Sequence, residues 1–253
     1  MAMTATPVEA IAPISRAEAH ALAVTEYERL VEQLRSLEPD DWAQPTDCSL
    51  WDVRAMAGHN VGMLSDFTSL RSVMRRMRAA TKAAKRSGRP MIDSMTALQV
   101  AEQAGLPTDE LIEVAARNAP RAAHWRSTAP ALLRRMPMKE NVGGQPETWR
   151  IAYLLDVILT RDPWMHRVDI ARATGREMTL TADHDGRIIA DVVSEWARRH
   201  GQPFTLVLTG PAGTTFTAGT NPGERIELDA VEFCRIVSGR APGRGLLAQQ
   251  VPF

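Results

Sequence analysis

The apolar positions of this chain fall into two regimes. From Ser15 they recur at helical spacing: Leu22, Tyr27, Leu30, Val31 and Leu34 follow Ser15 as an N-cap and Glu18 three residues on, and "SLEPDDW" ends the helix. A second helix opens after Ser49 and carries the stripe Met56, Met63, Phe67, Leu70, Met74 and Met77 at steps of three, four and seven. Shorter helical segments are predicted around 93–104 and 108–134, parted by "GLPTD". The loop "MPMKENVGGQPETW" leads into an apolar run from Ile151 through Leu155 and Ile158 to Ala173. Long helices joined by loops make a helical bundle, of four helices or so, over residues 15–180.

Near "GREMTLTADHDG" the period changes. One more helix reads from about Asp183 to His200, and then "PFTLVLTG", "TTFTAG" and "ERIELD" alternate apolar and polar between glycines and prolines, as antiparallel strands do. "AVEFCRIVSG" closes as a helix ending at Gly239. The fold class expected is α+β: a bundle over 15–180, then a small α/β domain with a short antiparallel sheet over 181–253. Residues 1–14, small, proline-containing and aperiodic, are expected to be mobile.

Composition narrows the function. The 253 residues carry 30 acidic and 30 basic side chains, a net charge of zero, so no global field draws nucleic acid or an anionic membrane. The basic stripe Arg71, Arg75, Arg78, Lys82, Lys85 and Arg89 lacks interleaved aromatic residues and reads as a solvated helix face. Cys48 and Cys234 are too few for a disulfide framework and lack CxxC spacing, which suits a reducing cytoplasm. No basic n-region opens the chain and nothing approaches 18 consecutive apolar residues, so a soluble, cytoplasmic protein is expected.

The candidate chemistry sits on two helices. His59 lies three residues after Met56 and four before Met63, on the apolar stripe, and Gly58 and Gly62 flank it at a cost to helix stability unless something must approach closely. In "LTRDPWMHRVDI", Asp162, His166 and Asp169 fall at i, i+4 and i+7, in phase with Leu155 and Ile158. Burying such groups without partners costs on the order of 2–7 kcal/mol even for a neutral polar group, so they must find each other or a metal. Two imidazoles and a carboxylate suffice for Zn²⁺ with a fourth position open, and Asp169 could hold an imidazole N–H from behind. The competing reading makes Asp162 an N-cap with Pro163 at the first helical position, engaging the carboxylate with backbone N–H groups.

"CSLWDVRAMAGHNVG" resembles the C-x-x-W-x-V-x-x-x-x-x-H entry of the DinB-like, mycothiol-dependent maleylpyruvate isomerase family, and "TRDPWMHRVDIARATGR" resembles its later helix. "LVLTG" through "GERIELDAVEFCRIVSGR" is similar to the small α/β domain that follows the bundle there, so the likeness runs from about Ser15 to the C-terminus. The resemblance implies that His59, Asp162 and His166 are ligands of a divalent metal, Zn²⁺ foremost, with Asp162 where the family often has glutamate. It implies mycothiol, a small thiol of actinobacteria, as cosubstrate. A free thiol has a pKa of about 8.5 and is deprotonated on coordination; the thiolate can then add to an electrophilic small molecule, giving S-transfer or cis–trans isomerisation. The resemblance also matches Arg240 to a family arginine of the second domain. From this we expect Arg240 to orient a substrate carboxylate across a cleft between the domains.

Other side chains are expected to be structural: Cys48 as a turn residue, Trp51 as core, and His20, His124, His184 and His200 as surface or capping groups. Two other functions fit parts of the pattern. A hydrolase would use metal-bound hydroxide and would need a free carboxylate as base, for which Asp169 is the local candidate. A zinc-binding regulator of the anti-sigma type would need H-x-x-x-C-x-x-C, whereas "NVGMLSD" follows His59 without a cysteine. The expected partners are the electrophile and mycothiol, not nucleic acid or membrane, with monomer and homodimer both open.

Overall fold

The computed structural model describes residues 5–221 and 223–253 and divides into two compact units. One holds residues 16–136 and 162–178, and the other holds 1–15, 137–161 and 179–253. Compactness thus divides the chain differently from a single cut near residue 180: the strand-bearing unit also takes an early segment and a central one.

The helical unit contains α1 (Arg16–Arg35), α2 (Val53–Asp66), α3 (Leu70–Ser87), α4 (Met91–Gln103), α5 (Thr108–Thr128) and the short α6 (Ala131–Arg135). α1 packs on α5, α2 on both α4 and α5, and α3 on α4. The stripe predicted for α1 is its buried face, with Tyr27, Leu30 and Leu34 fully enclosed. Each such side chain contributes roughly 1.5–3 kcal/mol by leaving water. α5, which packs on α1 and α2, buries small residues, Ala115, Ala119, Ala122 and Ala123. Two ion pairs are enclosed as well: Arg167 reaches Glu26 at 3.0 Å, and Arg76 reaches Asp66 at 2.7 Å.

The long second helix expected from the methionine stripe is two helices. α2 ends at Asp66, and the Ser69 side chain accepts from the Ser72 N–H at 3.2 Å, capping α3. Met56, Met63 and Phe67 are buried as expected, but Leu70, Met74 and Met77 are 46%, 43% and 37% exposed, because the break turns α3 to a new face. Gly62 is explained by a helix and not by a ligand: a Cβ there would lie 2.6 Å from Gln99 Cβ of α4.

In the other unit β1 (Thr6–Pro7) pairs with Phe216 and Thr217, so the segment expected to be mobile is partly tied to the sheet; residues 1–4 of that segment lie outside the described residues. β2 (Pro137–Val142) and β3 (Gln145–Arg150) form an antiparallel hairpin where a loop was expected, turning through Gly143 and Gly144 at φ of 58° and 81°. α7 (Ile151–Tyr153) and a π-helical turn, Leu154–Ile158, lead into α8 (Leu159–Thr174), whose residues from Asp162 onward belong to the helical unit. Then follow α9 (Asp185–His200), β4 (Phe204–Thr209), β5 (Thr215–Ala218), β6 (Glu224–Asp229) and α10 (Ala230–Val237). The sheet order is β1-β5-β4-β6. It contains the antiparallel β4–β5 pair expected and adds two parallel pairings, β4 with β6 and β1 with β5. Phe204, Leu206 and Leu208 are buried, and Trp196 of α9 packs its ring 4.8 Å from Phe204 and 5.3 Å from Phe233. The whole is α+β. No helix among the described residues is long and apolar enough to cross a membrane.

Candidate metal centre

α8 begins with a conflict. Pro163 lies inside the helix, where its ring opposes the carbonyl four residues back. The π-helical turn Leu154–Ile158 just ahead widens the backbone, and Leu159 leaves it at ψ of 8°, which relieves that opposition. Pro163 is therefore not the first helical residue, and Asp162 is not an N-cap. Its two carboxylate oxygens face side chains.

Asp162 Oδ2 lies 3.3 Å from His59 Nε2, and Oδ1 lies 3.2 Å from His166 Nε2. Donors 2.0–2.1 Å from a tetrahedral centre stand about 3.3–3.4 Å apart, so this spacing fits a cation held among the three residues. The donor atoms of His59, Asp162 and His166 all lie within 4.8 Å of one another. Both histidines are buried, whereas the Asp162 side chain keeps 25% of its surface, leaving one side of the set approachable. Burial pushes the Asp162 carboxyl up, but the imidazoles, His166 foremost, outweigh it and hold the group well below the usual carboxylate range. It stays an anion, as a ligand must. His59 Nδ1 is buried without a hydrogen-bond partner among the described residues, so the ring's hydrogen-bonding contact is the one its Nε2 makes with Asp162.

Asp169, fully buried, places Oδ2 3.3 Å from His166 Nδ1. A carboxylate behind an imidazole favours the proton on the nearer nitrogen, and the other nitrogen, Nε2, is the one that faces Asp162. That position also removes Asp169 from the role of a free general base.

Trp51 and Cys48 are the residues that sequence reasoning underrated. The Trp51 ring lies 5.0 Å from that of His59 and 6.0 Å from that of His166, so this half-buried indole walls both imidazoles. Its place on the ligand face of the helix entrance was the available signal. Cys48 brings its sulfur within 4.8 Å of donors of His166 and Asp169. It lies in a loop with no helical phase, and no periodicity could have pointed there. Beneath the site Tyr27, read only as core, accepts a hydrogen bond from Arg126; burial pushes its phenol pKa up although Arg126 opposes this.

Arg240 lies in the strand-bearing unit, half-buried just after Gly239 (φ 85°), with its backbone N–H donating to the Arg235 carbonyl. His20 is anchored through Nδ1 to the Ala123 carbonyl, and the His200 ring meets Trp196 edge-on, with its pKa pushed down by burial. These two match their structural expectation.

No curated protein matches this chain. Two crystal structures do, of the mycothiol-dependent maleylpyruvate isomerase and of one of its histidine-to-alanine mutants. Each is 16% identical, covers 93% of this chain and 92% of that chain, and superposes with a TM-score of 0.55. At that identity the likeness is one of fold. The family model described as the mycothiol maleylpyruvate isomerase N-terminal domain matches residues 23–171, more than half of the chain and the span that carries all three donor residues, and the chain belongs to that family.

Proposed function

We propose that the protein is a metal-dependent enzyme that uses mycothiol against an electrophilic small molecule, by isomerisation of the maleylpyruvate type or by S-transfer. The observation that carries this reading is the convergence of His59, Asp162 and His166, with one side of the set open, inside the domain by which the chain joins its family. A divalent cation such as Zn²⁺, when bound there, supplies Lewis acidity that lowers the pKa of a coordinated thiol. The protein's own groups do the rest. Asp169 fixes the proton of His166 on Nδ1, so that Nε2 presents its lone pair. Trp51 covers the two imidazoles and keeps water from that side. Arg240, on this reading, binds the substrate carboxylate and orients it. Engagement of Asp169 with His166 supports thiol chemistry over hydrolysis, which needs a free base near the metal.

The test is cobalt loading of purified protein followed by mycothiol titration. We expect one metal per chain and a thiolate-to-cobalt absorption band that appears only with added mycothiol. His59→Ala should lose the metal while its helical circular dichroism stays. Arg240→Ala should keep the metal and the band but raise KM for a carboxylate substrate or lower kcat. Stoichiometric metal with no mycothiol-dependent band would overturn the thiol reading.

A further inference from the structure

We propose a second metal position in this chain, formed by Cys48 Sγ, His166 Nδ1 and the Asp169 carboxylate, that takes a thiophilic cation such as Cd²⁺ and excludes occupancy of the first. Cys48, His166 and Asp169 each offer a donor atom within 4.8 Å of the others, and on this face of the ring His166 Nδ1 lies 3.3 Å from Asp169 Oδ2. His166 and Asp169 are 4% and 0% exposed, whereas Cys48 is half-buried, so the position is formed inside and reached through the sulfur.

The loop that carries Cys48 is held in place. Thr46 N–H donates to the Trp51 carbonyl at 3.2 Å, Trp51 N–H donates to the Cys48 carbonyl at 2.8 Å, and Cys48 N–H donates to Thr46 Oγ1 at 3.2 Å. Asp47 then accepts from Arg172 Nε of α8 at 3.1 Å, tying the loop to the helix that supplies the other two ligands.

Donor chemistry separates the two positions. The set around Asp162 offers two nitrogens and oxygen, which suits borderline ions; the set around Cys48 offers sulfur, nitrogen and oxygen, which favours softer ones. Exclusion follows from one proton. With a metal on Nε2, the imidazole keeps its proton on Nδ1 and donates to Asp169. With a metal on Nδ1, the proton must move to Nε2, where Asp162 Oδ1 at 3.2 Å accepts it. Binding at Cys48 forms the metal–sulfur bond and releases the thiol proton to solvent. A thiophilic ion would thereby turn His166 away from the first position without touching His59.

The experiment is a cadmium chloride titration of the metal-free full chain with no mycothiol present, which keeps it independent of the thiol reaction proposed above. Ultraviolet sulfur-to-cadmium charge transfer and cadmium per chain are both read. We expect the band to saturate at one equivalent, to vanish in Cys48→Ser and His166→Ala, and to persist in His59→Ala and Cys234→Ser. A wild-type ¹¹³Cd NMR resonance in the range of a single-sulfur site gives the same answer without a variant. A band that survives Cys48→Ser, a resonance in the all-nitrogen-and-oxygen range, or two cadmium ions held at once would overturn the proposal.

Discussion

At the scale of single residues, the site depends on which atom each side chain turns toward its neighbours. Asp169 lies outside the proposed ligand set of the first position, with Oδ2 3.3 Å from His166 Nδ1, where on the proposed reading it favours the proton on that nitrogen. Asp169→Asn keeps the shape and removes the charge that polarises the ring. Losing such an outer partner costs metal affinity by about 10–100-fold. Competition against a chelating dye should read a loss of that size for Zn²⁺, with unchanged helical content; equal affinities would show that the Asp169–His166 contact has no part in binding. His59, Asp162, His166 and Asp169 were legible because helical phase puts them on one face and apolar phase puts that face inside. Trp51, just before α2 starts at Val53, could be placed on the ligand side by carrying the helical phase back, but Cys48 lies further out in the loop, where that phase says nothing. The loop's own hydrogen bonds, together with the Asp47–Arg172 contact, hold them over α8.

At the scale of elements, periodicity found the helices and missed what interrupts them. The methionine stripe keeps helical phase across Phe67–Ser69, but the Ser69 cap competes with the helix for the backbone and starts α3 in a new direction. The hairpin β2–β3 alternates exposed and half-buried positions on mostly polar strands, a weak signal beside the helical one, though its Gly143–Gly144 turn was in plain view. Glycines in helices proved informative in another way. Gly62 lets α2 and α4 touch, and the α2 it positions carries His59. Gly62→Ala would force its methyl against Gln99 backbone and Cβ, and overpacking of this kind costs about 1–3 kcal/mol. For a chain of this size that is a fall in melting temperature of roughly 2–4 °C for each kcal/mol. Differential scanning calorimetry should show it; an unchanged melting point would mean that α4 yields freely.

At the scale of the whole molecule, the division into two units was legible only in part. The C-terminal change of period was visible, but a reader of the sequence cannot see that residues 1–15 and 137–161 join the same unit. That unit has an interior of charges. Arg161 donates to Glu195 at 2.7 Å, to Asp191 at 2.6 Å and to the Pro252 carbonyl at 3.1 Å, while Tyr153 and Arg199 also reach Glu195. Burial alone would raise the Glu195 carboxyl, but Arg161, Tyr153 and Arg199 outweigh it, and Glu195 titrates below the usual range; Arg199 holds Glu147 down likewise. The unfolded chain therefore takes up protons near pH 4.3, the ordinary glutamate value, before the folded chain does. The stability these groups contribute is complete above that pH and drains away as pH falls toward their folded values. Glu195→Gln cannot titrate, so its stability should lie below wild type at neutral pH, by about 3–5 kcal/mol for a buried ion-pair partner removed, and approach it as pH falls from 5 to 3. Parallel melting temperatures of the two proteins across that range would show that the Arg161 network adds nothing that depends on charge.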